Sequence, residues 1–234
     1  MNNITKLSSV SFFCPAYNDE KNLPILIPKV IDFLQNITDK FEVIIVEDGS
    51  PDKTAQVAEE LAKKYPQIKV IHHEKNLGYG AALRNGFGTA VFDYVMYTDG
   101  DNQYDVREFL PHLNLLDNND ILSGYVRQKA TSNARKLQSV IFNSVIRGLF
   151  GINIKDINCS MKLYKKAALD SIEIKSASAF IDAEMLISAK RKGFKIAQFP
   201  VTHYSRNHGL ASGSKPMVIV DTIKDMLKFR AGLL

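Results

Sequence analysis

The chain has 234 residues, 45% hydrophobic and 24% charged, with Lys+Arg 30 against Asp+Glu 25 for a formal net charge of +5. That balance is globular and long enough to bury a core without staples, and the mild positive charge suits nucleic acid, anionic lipid or a phosphorylated substrate without selecting one. The polar N-terminus argues against a signal peptide, no run of 18 apolar residues offers a bilayer span, and the distant Cys14 and Cys159 fit no metal-ligand spacing and suit a reduced compartment.

In chain order, residues 10–14 form a short apolar run ended by Pro15, and residues 26–33 carry apolar side chains at helical spacing. Residues 41–46 (FEVIIV) are rich in β-branched side chains and read as a fully buried strand. Residues 52–65 read as a helix closed by Pro66, 68–72 as a strand, 80–89 as a helix and 94–98 as a strand. This alternation predicts βαβ units, a mostly parallel sheet with helices on both faces, and a ligand site beyond the carboxyl ends of the strands. The second half is less regular. It predicts a long helix over 135–152 ending at Gly151, strands at 162–164 and 197–201, a helix over 183–192 capped by Gly193, a Gly/Ser-rich loop over 206–215 and a helix over 215–230. With no repeat or linker, residues 1–234 read as one domain, a nucleotide half over about 8–125 and an acceptor half over about 126–234.

Three polar clusters follow strands. In Thr98-Asp99-Gly100-Asp101-Asn102-Gln103, two carboxylates at i and i+2 in extended backbone point the same way and suit Mg²⁺ or Mn²⁺ beside a diphosphate; the plainer alternative is a solvated acidic turn. In the segment from Val46 to Thr54, Asp48 is placed to accept from a base or ribose, while Ser50 or Asp52 can cap the next helix; capping alone is the alternative. In Pro15-Ala16-Tyr17-Asn18-Asp19-Glu20, Tyr17 offers a flat face to a nucleobase and Asp19 a ribose acceptor, unless these are ordinary loop residues. The five histidines show no ligand spacing. His72 and His73 read as structural or exposed, and His203 and His208, which flank Arg206, as polar loop residues, with contact to a phosphate as the alternative. No nucleophilic Ser–His or Cys–His arrangement is visible.

Taken together and in this order, these clusters resemble the family-2 inverting glycosyltransferases, in particular the polyprenyl-phosphate (dolichol-phosphate-like) branch, over nearly the whole chain. Pro-x-Tyr-Asn-Glu is met by Pro15, Tyr17 and Asn18 with Asp19 in the Glu place; Asp-Gly-Ser-x-Asp-x-Thr by Asp48 to Thr54. Asn-x-Gly-x-Gly-x-Ala-x-x-x-Gly is met by Asn76, Gly78, Gly80, Ala82 and Gly86; Asp-x-Asp-x-Gln by Asp99, Asp101 and Gln103. Further on, the Ser123–Arg127, Asp156–Tyr164, Ile181–Glu184 and His203–Ser212 stretches resemble segments of that branch, with Val126 where its arginine stands.

The resemblance implies a GT-A, Rossmann-like three-layer sandwich and transfer from a nucleotide-diphosphate sugar to a polyprenyl phosphate at the cytoplasmic membrane face. By that analogy Pro15, Tyr17, Asp19, Val46 and Asp48 hold the nucleoside, and Gly100 lies against the donor. Asp99, Asp101 and Gln103 bind Mg²⁺ or Mn²⁺. Arg127 or Arg135, with Arg206 and Lys215, holds phosphates, and Asp156 orders the loop beside the acceptor. An anionic phosphate acceptor needs positioning more than a general base. If the acceptor is instead a hydroxyl of polysaccharide, lipooligosaccharide or protein, Asp182 or Glu184 is the candidate base, the alternative being that either simply binds acceptor or caps the following helix. A non-catalytic nucleotide- or membrane-binding module is the alternative of another class. Implied partners are the donor, the lipid and the membrane surface, with a membrane partner subunit or homo-oligomer as further candidates and no nucleic acid. Two basic amphipathic stretches, 135–152 and 215–230, suit membrane contact unless their apolar stripes face the core. A chain ending at Leu234 without a span reads as a peripheral form or a truncated one.

Overall fold

The computed structural model describes residues 6–129, 132–206, 208 and 216–234. Strands and helices alternate as the periodicity implies: β1 (Val10–Ala16), α1 (Leu23–Ile37), β2 (Phe41–Glu47), α2 (Thr54–Lys64), β3 (Ile68–His72), α3 (Tyr79–Thr89) and β4 (Tyr94–Tyr97). A 3₁₀ run (Val106–Asp117) leads into β5 (Ile121–Lys129), α4 (Asn133–Phe150), β6 (Lys162–Lys165), α5 (Lys166–Asp170), α6 (Ile181–Arg191), β7 (Ile196–His203) and α7 (Pro216–Arg230).

The seven strands form one sheet in the order β3-β2-β1-β4-β6-β5-β7. Only β6 runs against its neighbours, β4 and β5; every other pairing is parallel. The carboxyl ends of β1, β2, β4, β5 and β7 therefore share one edge, and the loops leaving them meet there. The chain winds outward in both directions from β1 and β4, which opens a crevice between their ends.

Alternation along the strands divides the core. Phe12 and Cys14 of β1 and Val43 and Ile45 of β2 pack beneath α1, α2 and the 3₁₀ run. Phe13, Ile44 and Val46 face the other way, toward α3, α6 and the inner sides of α4 and α7. Covered on both faces, these strands carry apolar side chains at nearly every position, which is why FEVIIV shows no alternation; the buried exception, Glu42, accepts from Ser11 Oγ (2.6 Å) and Lys69 Nζ (2.7 Å). The result is the expected three-layer α/β sandwich with a mostly parallel sheet.

Three elements were not anticipated: the 3₁₀ run, α5 and β5. The β5 segment contains Ser123 and Gly124, weak strand formers, and is set by pairing on both sides. A Cβ on Gly124 would lie 3.0 Å from Met161 Cβ and 3.1 Å from Cys159 Sγ, so the segment leading into β6 packs tightly on β5 at this glycine. Gly151 ends α4 at φ +66° with its N–H on the Arg147 carbonyl, as the sequence suggests. Gly209, Ser212 and Lys215 lie outside the described residues.

Candidate active site

The first two loops are stitched together. Asp19, buried, accepts the Tyr17 N–H (3.0 Å) and the Asn22 amide (2.8 Å), and its own N–H donates to Thr54 Oγ1 (2.8 Å). Asp52, rather than Ser50, accepts from Thr54 N–H (3.0 Å) at the start of α2. Burial, partly offset by the Asn22 bond, pushes the Asp19 carboxyl up to about 6. Tyr17 is half-buried beside it.

Asp48 is committed to its own chain. Its Oδ1 meets His73 Nδ1 at 2.6 Å and accepts the Leu77 N–H at 2.8 Å; its Oδ2 accepts the Gly78 N–H at 2.9 Å. With two acceptor sites per oxygen, one remains open for a ligand. Asp48 thus orders the turn that starts α3. His73, buried and bonded through Nε2 to Asn85 (2.6 Å), belongs to this apparatus, which its sequence context did not reveal. Gly49 sits at φ +64°, where a Cβ would fall 2.3 Å from the Lys75 carbonyl carbon. The Val46 side chain is buried in the second core face, so only its backbone is available to a nucleoside.

The turn after β4 presses against β1. The Gly100 N–H donates to the Pro15 carbonyl (3.0 Å), and a Cβ there would lie 2.7 Å from that oxygen and 3.2 Å from Asp19 Oδ2. Asp99 is anchored through its N–H on Ser160 Oγ (3.2 Å), while its Oδ1 is buried without a hydrogen-bond partner. Burial, with Asp101 and Asp182 nearby, pushes the Asp99 carboxyl up to about 7. Burial also raises Asp101, against the pull of Arg206. Arg206 pairs with Asp101 Oδ2 and reaches Gln103 Oε1 (3.3 Å), while Gln103 Nε2 donates to the Tyr204 carbonyl (3.0 Å). Asp99, Asp101, Gln103 and Arg206 thus converge, although Arg206 is 105 residues from Asp101.

Beneath Asp99 lies an ion pair absent from the sequence reading. Lys162 is fully buried; its Nζ donates to Asp182 Oδ1 (2.6 Å), Tyr97 Oη (3.0 Å) and the Cys159 carbonyl (2.6 Å). Tyr97 and Tyr79 (3.3 Å) also donate to Asp182. Glu184 is equally occupied, accepting the Lys175 (3.0 Å) and Ser176 (2.9 Å) N–H groups. Arg127 is exposed and lines a shallow cavity with Glu108, Pro200 and Thr202. Arg135 is half-buried in the first turn of α4. Among the described residues neither side chain forms a hydrogen bond or ion pair with the Asp99–Gln103 turn. Val126 packs on the first core face, and its N–H reaches Asp156 Oδ2 (3.4 Å), so Asp156 helps order the end of β5.

No three His, Cys, Asp or Glu side chains converge as a metal cage among the described residues. Mg²⁺ and similar ions bound beside phosphates need only one or two carboxylates, the rest being water and phosphate oxygen. Two buried like-charged carboxylates, one with a bare oxygen, fit such a cation.

Residues 11–173 match the family described as Glycosyl transferase family 2. The chain is 29% identical over 202 residues to glycosyltransferase AglD of Haloferax volcanii, covering 82% of this chain and 32% of that protein. It is 30% identical over 210 residues to dolichyl-phosphate beta-glucosyltransferase ALG5A of Trichomonas vaginalis, covering 82% and 64%. The chain thus spans just under a third of the first relative's length and just under two thirds of the second's. Among solved structures it resembles glucosyl-3-phosphoglycerate synthase of Mycobacterium tuberculosis in complex with Mn²⁺, UDP and phosphoglyceric acid, with a TM-score of 0.70 at 18% identity over 97% of this chain and 80% of that one. The same enzyme with Mg²⁺ and UDP gives 0.69 at 18%, over 97% and 80%. At that identity the likeness is one of fold. With more than half of its length matched, the chain belongs to glycosyl transferase family 2.

Proposed function

We propose that this chain moves a hexose from a nucleotide-diphosphate sugar to a polyprenyl phosphate at the cytoplasmic face of a membrane, with Mg²⁺ or Mn²⁺ held by Asp99 and Asp101 and assisted by Gln103. The observation that carries the acceptor class is the occupation of Asp182 and Glu184. A hydroxyl acceptor needs a carboxylate free to take its proton. Asp182 is held by Lys162 and two tyrosines, and Glu184 by two backbone amides. A phosphate monoester is already anionic and needs only to be oriented. Its oxygen attacks the anomeric carbon as the bond to the nucleoside diphosphate breaks, inverting the centre, and no proton has to be removed.

Pro15, Tyr17, Asp19 and the open acceptor site of Asp48 face the nucleoside in this reading. A divalent cation at Asp99 and Asp101 supplies charge neutralisation for the departing diphosphate. Arg206, already beside Asp101, is placed to hold the acceptor phosphate, with Arg127, Arg135 and Lys215 as further candidates. The names of the Trichomonas relatives support the lipid phosphate, and the UDP and metal complexes of the fold neighbours support the donor and cation. The test is incubation with labelled UDP- and GDP-hexoses, Mn²⁺ and either undecaprenyl or dolichyl phosphate. Label is expected in the lipid fraction. Label on a hydroxyl acceptor, with none on lipid phosphate, would overturn the reading.

A further inference from the structure

Two side chains from other elements close on Asp99, just beyond the end of β4. Ser160, fully buried ahead of β6, accepts the Asp99 N–H (3.2 Å) and lies 3.5 Å from Thr98 Oγ1. The serine is itself fixed: its carbonyl accepts the Lys162 N–H (3.1 Å), and the Lys162 ammonium holds the neighbouring Cys159 carbonyl (2.6 Å). Since β6 pairs with β4 in the register Tyr97↔Lys162, this short segment pins the Asp99 backbone to the adjacent strand.

The second side chain is Tyr79, the first residue of α3. It is held on both sides. Asp48 accepts the Leu77 and Gly78 N–H groups immediately before it, and Gly80 immediately after it packs so closely that a Cβ would fall 2.3 Å from the Ala177 carbonyl oxygen. The Tyr79 hydroxyl donates to Asp182 Oδ2 at 3.3 Å, long for an O–H···O bond. Asp182 does not depend on that bond, because its Oδ1 already meets Lys162 and Tyr97. Burial, the Asp182 charge and then the Asp99 charge, with a hydrogen bond toward each carboxylate, push the Tyr79 phenol well above its ordinary range, so its hydroxyl stands between the two. A phenol has one proton to give. Asp99 is the acceptor short of donors, since its Oδ1 is buried without a partner.

We propose that Ser160 and Tyr79 are positioning residues for the cation site: Ser160 fixes the Asp99 backbone and Tyr79 orients its carboxylate. Neither has to touch metal or substrate. A carboxylate held by outer hydrogen bonds is ordered before the cation arrives and loses less freedom on binding it. Deleting such an outer partner typically weakens metal binding about 10–100-fold. The inference rests on the reading of Asp99 as a cation ligand and adds the residues that set its geometry. It also ties the cation site to the nucleoside side, because Asp48 orders the turn that delivers Tyr79.

The test is titration of the whole chain with Mn²⁺ alone, followed by electron paramagnetic resonance of the free ion, for wild type, Tyr79→Phe, Ser160→Ala and Asp99→Asn. Ser123→Ala is the control for deleting a buried hydroxyl, since Ser123 is fully buried and its Oγ has no hydrogen-bond partner. Tyr79→Phe and Ser160→Ala should each weaken Mn²⁺ binding about tenfold or more, with Ser123→Ala close to wild type. Beside Asp99→Asn, Tyr79→Phe should cost nothing further, because the carboxylate through which it acts is gone; a role in packing alone would give the same loss in both backgrounds. If Tyr79→Phe lowers the thermal midpoint, Ser160→Ala carries the comparison. Affinities of both variants equal to wild type, a loss matched by Ser123→Ala, or a Tyr79→Phe loss undiminished beside Asp99→Asn would each overturn the proposal and leave the cation reading intact. Wild type that binds no Mn²⁺, or Asp99→Asn that binds it as tightly as wild type, would sink the cation reading and the proposal with it.

Discussion

Replacing Lys162 with Met should destabilise the protein severely. Lys162 is fully buried, Asp182 is 3% exposed, and Nζ and Oδ1 are 2.6 Å apart. Removing one partner of a buried pair strands the other's charge and costs about 3–5 kcal/mol. For a domain of this size about 1 kcal/mol moves Tm by about 2–4 °C, so Tm should fall by roughly 6–20 °C. Lys162→Met with Asp182→Leu removes both charges. It still leaves Tyr97 and Tyr79 without their acceptor, at about 1–3 kcal/mol for a buried hydroxyl. The double variant should therefore recover part of the loss, and adding Tyr97→Phe should recover more. Urea unfolding of the wild type, both single variants and the double variant closes the thermodynamic cycle, with a coupling of about 2 kcal/mol or more expected. Additive losses, or a Lys162→Met loss below about 1 kcal/mol, would show that Asp182 is not held as argued and would reopen its candidacy as a base.

Other outcomes follow from the site. Arg206→Gln removes the native competitor for Asp101, so Mn²⁺ binding followed by electron paramagnetic resonance should tighten while transfer falls by about tenfold or more; weaker Mn²⁺ binding would contradict the competition. Burial holds the Asp99 carboxyl at about 7 against 3.8 in its absence, so the folded state binds the proton more tightly than the unfolded one. Stability of the chelator-treated protein should then decline as pH rises from about 4 to about 7, and Asp99→Asn should flatten that slope in urea titrations. Gly86→Ala would put a Cβ 2.2 Å from the Phe13 ring, so calorimetry should show a loss of about 1–3 kcal/mol; an unchanged midpoint would mean that β1 and α3 separate freely.

The positions of the candidate groups were legible because that information is local. A polar cluster directly after an apolar run is a loop at a strand end, and parallel topology carries such loops to one edge. Pro15–Glu20, Asp48–Thr54 and Asp99–Gln103 all declare themselves this way. Which carboxylates stay open is not local. Asp48 is occupied by His73 and the Leu77–Gly78 amides, and Asp182 by Lys162 and two tyrosines, from residues 20 to 103 positions away. Nothing in the spacing of Ile181-Asp182-Ala183-Glu184 distinguishes a free base from a buried anchor. β5 was missed for a related reason, since its strand character comes from its neighbours rather than from Ser123 and Gly124.

Amphipathic periodicity has the same limit, and α4 makes it concrete. The period shows that one face is apolar, and the plain inference is that this face is the buried one. Here the helix buries Asn143 and Ile146, and the Asn143 side chain accepts the Ile157 N–H (3.1 Å), while the richer apolar stripe stays outside. The inner side of α4 is itself largely apolar, with Phe142 and Phe150 packed on the core beside Ile146, and the buried Asn143 is tolerated there because its side chain makes that bond.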